Sequence, residues 1–264
     1  MLGRVTSPDE LLAIYDVQLR GAAEADRSLE SERDGPLVRV HYPYRGFVGY
    51  RSLDGLNDQQ LDALIDRQIA HFAERGQAFE WKTRGHDWPP DLPDRLLDRG
   101  FLPEDRETVV IAVAADIAAE PVLPETVTLR TVRSDEEMRR IGVMESVVWG
   151  EDRSWLAEDL IGRVGVTPID VLVAEAGDEV VSAGWIVYQP GTDFAGLWGG
   201  STLPAWRGRG IYRALVARRA QLAVGHGYRF LQVDASDDSR PILERLGFVA
   251  VTTTTPYVWT PPPP

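Results

Sequence analysis

Apolar residues recur every three or four positions in several parts of the chain, a spacing that predicts amphipathic helices. The clearest pattern follows Asn57, a residue suited to a helix N-cap, and stops at Gly76. Its apolar positions are Leu61, Leu64, Ile65, Ile69 and Phe72. Further helices are predicted from Ser7, within 89–100, over 134–149, from about Gly210 to Val224, and within 239–247.

Between these helices the pattern alternates or becomes continuously apolar, which predicts strands. Strands are expected at 36–43 and 46–53, joined by a turn at Tyr44–Arg45–Gly46, and then at 78–83, 107–115 and 127–132. Three more are expected within 170–204, one at 228–236, and a closing pair within 248–259. This order predicts an α/β (α+β) protein.

Residues 118–125 (AAEPVLPE) carry two prolines between predicted strands and are interpreted as a linker. The boundaries expected are therefore a domain at 1–117 and a second at 126–264. The two halves also echo one another, because each has a strand, a helix and a Gly-Phe pair: Phe79 leads to Gly100-Phe101, and Phe230 leads to Gly247-Phe248. An internal repeat of one fold is the favoured interpretation.

Composition removes several function classes. The 264 residues include no cysteine, which excludes disulfides, thiolate metal sites and cysteine nucleophiles. The net charge is −13, and such an acidic chain lacks the broad basic face that nucleic acid requires. With no apolar segment near membrane-spanning length and no signal-peptide pattern at the start, no membrane association and a cytoplasmic location are expected.

Against this acidity, one short segment is cationic. Residues 206–215 (WRGRGIYRAL) begin a predicted helix, and five arginines fall within 13 positions: Arg207, Arg209, Arg213, Arg218 and Arg219. The first turn of a helix exposes unpaired N–H groups at the positive end of the macrodipole. Glycines at 208 and 210 let a ligand approach the backbone closely, so the segment predicts a phosphate-binding turn.

Residues 203–248 resemble the acetyl-CoA-binding core of the GNAT N-acyltransferase superfamily. The motif Arg/Gln-x-x-Gly-x-Gly/Ala aligns with Arg207, Gly210 and Tyr212, and Ser239 and the closing Leu246-Gly247-Phe248 match its later part. The resemblance implies two GNAT-like domains, each a mixed, mostly antiparallel sheet flanked by helices, with a degenerate N-terminal copy. Such a tandem resembles the architecture of mycothiol synthase-type enzymes.

By this resemblance the cofactor is acetyl-CoA or another acyl-CoA. Its pyrophosphate would bind the loop N–H groups, and its pantetheine would follow the strand ending at Thr202 and Leu203. The cofactor-binding residues so implied are Thr202, Leu203, Arg207, Gly208, Arg209, Gly210, Ile211, Tyr212, Arg213 and Ser239.

The sequence departs from the family at three places. Tyr212 replaces the last Gly/Ala of the motif, so its ring either braces the loop or walls the cofactor channel. Leu243 occupies the position where many members have a tyrosine acid, and the strand 197–202 carries no carboxylate for a base. Gly199-Gly200 could form a bulge that opens the sheet beside the thioester, or could simply relieve crowding at Trp198.

Other residues are therefore considered for proton transfer. Asp234 ends the next strand and is a candidate base, although it could instead cap the following turn. Tyr257 is a candidate acid, with a half-buried sheet position as its alternative. Glu145, Trp149 and Trp198 are expected to line the acceptor side, although a core position is the favoured alternative for Trp149.

The expected function is transfer of an acyl group, acetyl first, from CoA to a primary amine of a small molecule or protein. The alternative is a non-catalytic protein that senses or scaffolds CoA. A homodimer is left open, and no metal site is expected. His86 and Asp87 could form a catalytic pair, but adjacent residues point in different directions, so a proline-rich turn is the better interpretation.

Overall fold

The computed structural model describes residues 7–21, 31–42 and 45–262. Its contacts divide the chain into two units: unit 1 is Met1–Val110, Asp234–Ile242 and Ala250–Pro264, and unit 2 is Ile111–Val233 and Leu243–Val249. Residues 118–125 form no helix or strand. The domain limits placed at 117 and 126 stay a prediction. Residues 234–242 and 250–264, although they come from the second half of the sequence, belong to unit 1.

Unit 1 contains a mixed sheet with helices. Strands β1–β2, β2–β3, β4–β12 and β5–β12 pair antiparallel, and β3–β4 pair parallel. Its elements are α1 (Pro8–Gln18), β1 (Ser31–Asp34), β2 (Leu37–His41), β3 (Gly46–Tyr50), α2 (Asp58–Glu74), β4 (Phe79–Arg84), α3 (Leu92–Leu97), β5 (Leu102–Pro103), the start of β6 (Glu107–Val113) and most of β12 (Val249–Trp259).

Unit 2 repeats this type of arrangement. Strands β7, β8, β9 and β10 pair antiparallel in that order, and β10 pairs parallel with β11. Its elements are α4 (Ala114–Ile117), β7 (Val127–Val132), α5 (Asp135–Trp149), α6 (Ser154–Arg163), β8 (Ile169–Ala176), β9 (Glu179–Tyr188), β10 (Phe194–Thr202), α7 (Ile211–Gly225), most of β11 (Phe230–Ala235) and the end of α8 (Arg240–Leu246). The expected α/β class with mixed, mostly antiparallel sheets is confirmed.

Each unit has its own apolar core. In unit 1, Phe72 of α2 stacks on Phe79 of β4 with ring centroids 4.3 Å apart, and Trp81 is fully buried beside them. In unit 2, Met138 and Ile141 of α5 pack against the apolar face of β8 and β9. Phe101 and Phe248, the phenylalanines of the repeated Gly-Phe pair, are both buried, and the preceding glycines have φ of 82° and 105°.

Local capping explains why the best-predicted helices begin where they do. Ser7, Asn57 and Ser134 each accept a hydrogen bond from the third helical residue, whose side chain returns the bond to the cap. Helix α6 was not predicted, and its cap position, Arg153, provides no capping side chain.

The C-terminal region differs from the prediction. Residues 249–259 form one strand rather than a closing pair, because four consecutive threonines continue the strand instead of turning it. The predicted turn at Tyr44 lies outside the described residues. None of the helices in the described ranges is both long and apolar enough to cross a membrane.

Candidate active site

A bulge interrupts β10 at two glycines. The register with β9 shifts between Gly199 and Ser201, which leaves Gly200 without a partner in the ladder. The two glycines have φ of 66° and 94°, values that side-chain-bearing residues rarely adopt. Beyond Gly196, no register pair joins β10 to β11. A bulge, one of the two interpretations of this glycine pair, is therefore present, and it lies where β10 leaves its parallel neighbour.

Close packing on both glycines explains why no side chain fits there. A Cβ added at Gly199 would lie 2.5 Å from the Trp185 ring, and one added at Gly200 would lie 2.7 Å from the Tyr212 ring. Tyr212, in the first turn of α7, thus packs its ring directly against the bulge, and its burial raises the pKa of its hydroxyl. The aromatic ring at the unusual motif position braces this strand.

Arg219 completes the support from α7. Its side chain is 1% exposed, and Nη1 donates hydrogen bonds to the carbonyl oxygens of Trp198 at 3.0 Å and Trp185 at 3.3 Å. Nε donates to Leu215 O at 3.3 Å. Burial lowers the pKa of Arg219 to about 10, so it remains charged at neutral pH. The guanidinium therefore ties α7 to β9 and β10 at the bulge.

The segment before α7 forms the predicted turn. A short 3-10 turn at Pro204–Trp206 leads to Gly208 and Gly210, which have φ of 73° and 83°. The N-terminus of α7 has no side-chain cap, and among the described residues no acceptor is bonded to the backbone N–H groups of residues 208–213. A row of unpaired donors thus lies at the positive end of a 15-residue helix.

The five arginines do not form one cluster, and this corrects the interpretation of the sequence. Arg207, Arg209 and Arg213 are exposed beside the turn, whereas Arg219 points into the interior. Arg218 is exposed and donates to Gln221 at 3.0 Å. Three positive charges, rather than five, therefore adjoin the unpaired N–H groups.

The end of β10 is partly committed to internal bonds. Leu203 N donates to Val181 O at 2.9 Å, and Thr202 O accepts from Arg207 Nε at 3.0 Å. A ligand lying along β10 would therefore have to pair with other backbone groups of the strand. Ser239, whose hydroxyl donates to Ser236 O at 3.3 Å, belongs to unit 1.

Glu145 is a buried carboxyl group on the inward face of α5. Its residue is 3% exposed, Oε2 accepts from Trp149 Nε1 at 2.9 Å, and Oε1 has no hydrogen-bond partner among the described residues. Burial raises the pKa of this carboxyl, although Ser201 and Trp149 favour its charged form. Ser201 directly follows the bulge, and its interaction with Glu145 places this carboxyl group next to the glycines that interrupt β10.

Close packing of α5 on α6 holds Glu145 and an aromatic cluster in place. Ser146 Oγ donates to Gly142 O at 2.7 Å and accepts from Arg153 N at 2.8 Å. The Arg153 guanidinium lies over Trp149 at 4.8 Å and over Trp155 at 5.7 Å. Trp149 is 59% exposed, so it is not a core residue, and its place beside an acceptor stays a prediction.

Trp198 on β10 is half exposed, and its Nε1 would lie 3.0 Å from a Cβ added at Gly196. The edge of the indole therefore lies over Gly196 of the same strand. The carbonyl oxygen of Trp198 accepts the hydrogen bond from Arg219 Nη1, which holds the backbone of β10 at this residue.

The two residues considered for catalysis have structural partners in unit 1. Asp234 Oδ2 forms an ion pair with Lys82 Nζ at 2.5 Å, and both side chains are 13% exposed. Burial opposes the charge on Lys82, but Asp234 and Glu80 outweigh it and raise the pKa of the lysine. Tyr257 is 8% exposed and belongs to the core of unit 1. Their catalytic assignments stay predictions.

His86 and Asp87 have separate partners, as expected for adjacent residues. His86 contacts Asp16 at 3.2 Å and Thr252 at 2.8 Å. The Asp87 carboxylate accepts from Arg20 at 2.6 Å, from Arg84 N at 2.6 Å and from the Tyr50 hydroxyl. They do not form a catalytic dyad.

A bulged strand followed by a glycine turn and an uncapped helix agrees with the family that matches this region. Residues 129–248, a little under half of the chain, match the model described as "Acetyltransferase (GNAT) family", so this segment carries the sequence pattern of the GNAT acetyltransferases.

Among individual relatives, the chain is 25% identical over 262 residues to a mycothiol acetyltransferase from Streptomyces bingchenggensis (strain BCW-1), an alignment covering 90% of this chain and 82% of that protein. Its fold is similar to that of a GCN5-related N-acetyltransferase from Kribbella flavida, with 15% identity, 98% of each chain covered and a TM-score of 0.66. It is also similar to a tandem GNAT protein from the clavulanic acid biosynthesis pathway, with 15% identity, 97% and 96% of the chains covered and a TM-score of 0.64. The tandem architecture expected from the sequence is thus confirmed.

Sequence reasoning missed three contributors to this site. Arg219 was counted with the exposed arginines, Trp185 was not singled out, and the Arg153 stack on two tryptophans depends on the unpredicted helix α6. The one signal in the sequence was that Arg219 lies between Val216 and Ala220 on the apolar face of the predicted helix, which would have indicated a buried side chain.

Proposed function

We propose that unit 2 binds acetyl-CoA at the glycine turn and transfers the acetyl group to a primary amine of a small molecule or protein. The observation that carries this proposal is the row of unpaired N–H groups at residues 208–213, flanked by three exposed arginines. A pyrophosphate supplies the acceptors that these donors lack, and its negative charge suits the helix N-terminus. Arg207 also bonds to Thr202 O, so the same side chain orders the turn.

The bulge is the proposed position of the thioester. Gly200 has no partner in the ladder, so its N–H can be directed at the thioester oxygen. Tyr212 and Arg219 hold the strand in this distorted form from the helix side. A preorganised donor at this point stabilises the negative charge that develops as the amine attacks.

Glu145 is the proposed general base. The amine nitrogen forms a bond to the thioester carbon, the carbon–sulfur bond breaks, and one proton passes from nitrogen to Glu145, directly or through water. The CoA thiolate leaves and takes a proton from solvent. Burial raises the pKa of Glu145, which makes it a better proton acceptor, whereas Ser201 and Trp149 favour its charged form.

Asp234 is the competing candidate from the sequence. Its ion pair with Lys82 neutralises the carboxylate and would have to break or weaken before the group could take a proton. Glu145 carries no such ion pair among the described residues, which favours it over Asp234.

The acceptor is expected to contact the exposed cluster of Trp149, Arg153 and Trp155 near Glu145. The relative in Streptomyces bingchenggensis is a mycothiol acetyltransferase, so small-molecule amines are the first group to test. The overall charge of −13 favours cationic acceptors.

The test is release of free thiol from acetyl-CoA in the presence of a panel of small amines and amine-bearing peptides. Glu145→Gln keeps the Trp149 contact but should lower kcat by about 100-fold or more. Asp234→Asn should lower it far less. The reverse order would assign the base to Asp234, and turnover unaffected by either variant would remove both carboxylates from the mechanism.

Cofactor binding is tested separately. Acetyl-CoA at about 100 times its Kd should stabilise the protein by roughly 2.7 kcal/mol. Arg207→Ala and Gly210→Asp should abolish this shift, whereas the exposed Arg218→Ala, further along α7, should retain it. No shift with the native protein would overturn the cofactor site, and binding without turnover on any amine would overturn the transferase assignment.

A further inference from the structure

Three potential metal ligands converge in unit 1, far apart in the sequence. Glu32 lies on β1, His41 ends β2, and His71 lies in the last turn of α2. His71 Nε2 is 3.4 Å from His41 Nε2 and 3.1 Å from Glu32 Oε1, and His41 Nε2 is 3.9 Å from the same oxygen. Tetrahedral zinc with bonds of about 2.0–2.1 Å places neighbouring ligand atoms roughly 3.3 Å apart. The three atoms are therefore close to the spacing of one face of such a site.

The backbone holds these side chains through regular structure. Glu32 pairs with Arg39 across the β1–β2 hairpin, and His41 pairs with Gly46 of β3. A Cβ at Gly46 would clash with the Phe72 ring, so α2 packs directly against the strand there and brings His71 to His41. The two imidazole centroids are 5.3 Å apart.

A glutamine fixes the tautomer of His41. Gln77 Nε2 donates to Tyr42 O at 2.9 Å, which turns its Oε1 towards His41 Nδ1 at 3.2 Å. His41 Nδ1 must then carry the proton, and Nε2 presents its lone pair to the cluster. Such an outer hydrogen bond to the non-ligating nitrogen is the usual companion of a metal-binding histidine.

Two arginines adjoin the cluster, and they differ in how firmly they are held. Arg39 bonds to Asp34 at 2.7 Å and to Gln68 at 2.6 Å, and its Nη1 also reaches Glu32 at 3.3 Å and His71 Nδ1 at 3.4 Å. Asp34 balances its charge. Arg75 is exposed, and its Nε donates to His71 Nε2 at 3.2 Å, the atom a metal would take. An ion must displace Arg75, a surface side chain, while Arg39 shifts from the His71 ring but keeps its bond to Asp34.

We propose that Glu32, His41 and His71 bind one divalent transition-metal ion, Zn²⁺ in the first instance, with the remaining coordination position taken by water. Zinc accepts two imidazoles and one carboxylate, whereas magnesium and calcium bind carboxylates but do not favour imidazoles. The ion would link the β1–β2 hairpin to α2 within unit 1. This proposal departs from the expectation of no metal site, which was based on spacing along the sequence.

The test uses full-length, tag-free protein treated with EDTA and dialysed, titrated with ZnSO₄ by calorimetry and with CoCl₂ by visible absorption. One equivalent of Zn²⁺ should bind and raise Tm, and Co²⁺ should give the intense d–d absorption of a low-coordinate site. MgCl₂ should bind at least about 100-fold more weakly. Equal binding of Mg²⁺ and Zn²⁺ would overturn the proposal.

Variants locate the ion. His41→Gln, His71→Gln and Glu32→Gln should each weaken Zn²⁺ binding by about 10-fold or more. The matched control is His86→Gln with His226→Gln, which removes the other two of the four histidines and should leave the affinity unchanged. Arg75→Ala keeps every ligand and should tighten binding, because the competing guanidinium is removed. No 1:1 binding by either the native protein or Arg75→Ala, or binding that survives loss of both His41 and His71, would refute the site.

Discussion

Gly200→Ala tests whether the bulge depends on the ring of Tyr212. At φ 94° an alanine adopts a left-handed conformation, which costs about 1–2 kcal/mol. Its Cβ would also lie 2.7 Å from Tyr212 Cε2, and overpacking of that kind adds about 1–3 kcal/mol. The free energy of unfolding should therefore fall by roughly 2–5 kcal/mol.

Gly227→Ala is the matched control, because Gly227 has φ 83° but nothing within 4 Å of an added Cβ. It carries the backbone cost without the clash. Urea denaturation followed by tryptophan fluorescence gives both values, and a second measurement in a Tyr212→Ala background separates the clash. There Gly200→Ala should cost about as much as Gly227→Ala, a coupling of about 1–3 kcal/mol. Coupling below about 0.5 kcal/mol would refute the contact as the reason for the glycine.

Three further predictions follow from the charges. Burial first, and then Asp234 and Glu80, raise the pKa of Glu107 to about 7, against the opposing effect of Lys82. Between the ordinary pKa of a glutamate and pH 7, the folded state therefore binds a proton that the unfolded state does not. The free energy of unfolding should fall as the pH rises through that range. Glu107→Gln should remove this loss. From pH 5 to pH 8 its free energy of unfolding should gain about 1 kcal/mol relative to that of the native protein, after allowance for solvent screening. The same difference between the two proteins in urea denaturation at both pH values would contradict the prediction. Arg219→Met should leave the carbonyl groups of Trp198 and Trp185 without their donor and lower the free energy of unfolding by about 1–3 kcal/mol. Calorimetry should show weaker binding of acetyl-CoA, and an unchanged Kd would mean that Arg219 does not support the bulge for cofactor binding. Trp149→Phe removes a hydrogen bond that lowers the pKa of Glu145, so the acidic limb of the kcat/KM profile should move to higher pH, and an unmoved limb would exclude Glu145 as the base.

The elements that the sequence predicted well are those set by short-range interactions. Helices α1, α2 and α5 have capping boxes within four residues, and the glycine turn before α7 is likewise local. Helix α6 lacks a capping side chain, and its place is set by the packing of its Ala157 against Gly142 of α5, which a single-sequence pattern does not contain. The threonines of β12 were ambiguous in the same way, since pairing with β4 decides whether they extend or turn.

The side-chain pairings that could not be predicted join positions far apart in the sequence. Asp234 and Lys82 are 152 positions apart, and His41 and His71 are 30 apart. Neither spacing corresponds to a known local motif, so composition and periodicity carry no information about either pair. What the sequence did contain was the residue types: a single lysine, and four histidines in an acidic chain.

Tyr212 and Gly200 are best understood as one feature. Considered alone, Tyr212 departs from the motif, where a glycine or alanine is expected, and Gly200 could be explained by crowding at Trp198. In the structure the ring of Tyr212 occupies the space that a side chain at position 200 would need, so the bulky residue on α7 requires the glycine on β10. Arg219 lies beside the same contact and donates a hydrogen bond to the carbonyl oxygen of Trp198, two residues before Gly200. The positive φ at the bulge is thus maintained from the helix, and a change at Tyr212 should alter the strand that is proposed to hold the thioester before it alters the turn that is proposed to hold the pyrophosphate.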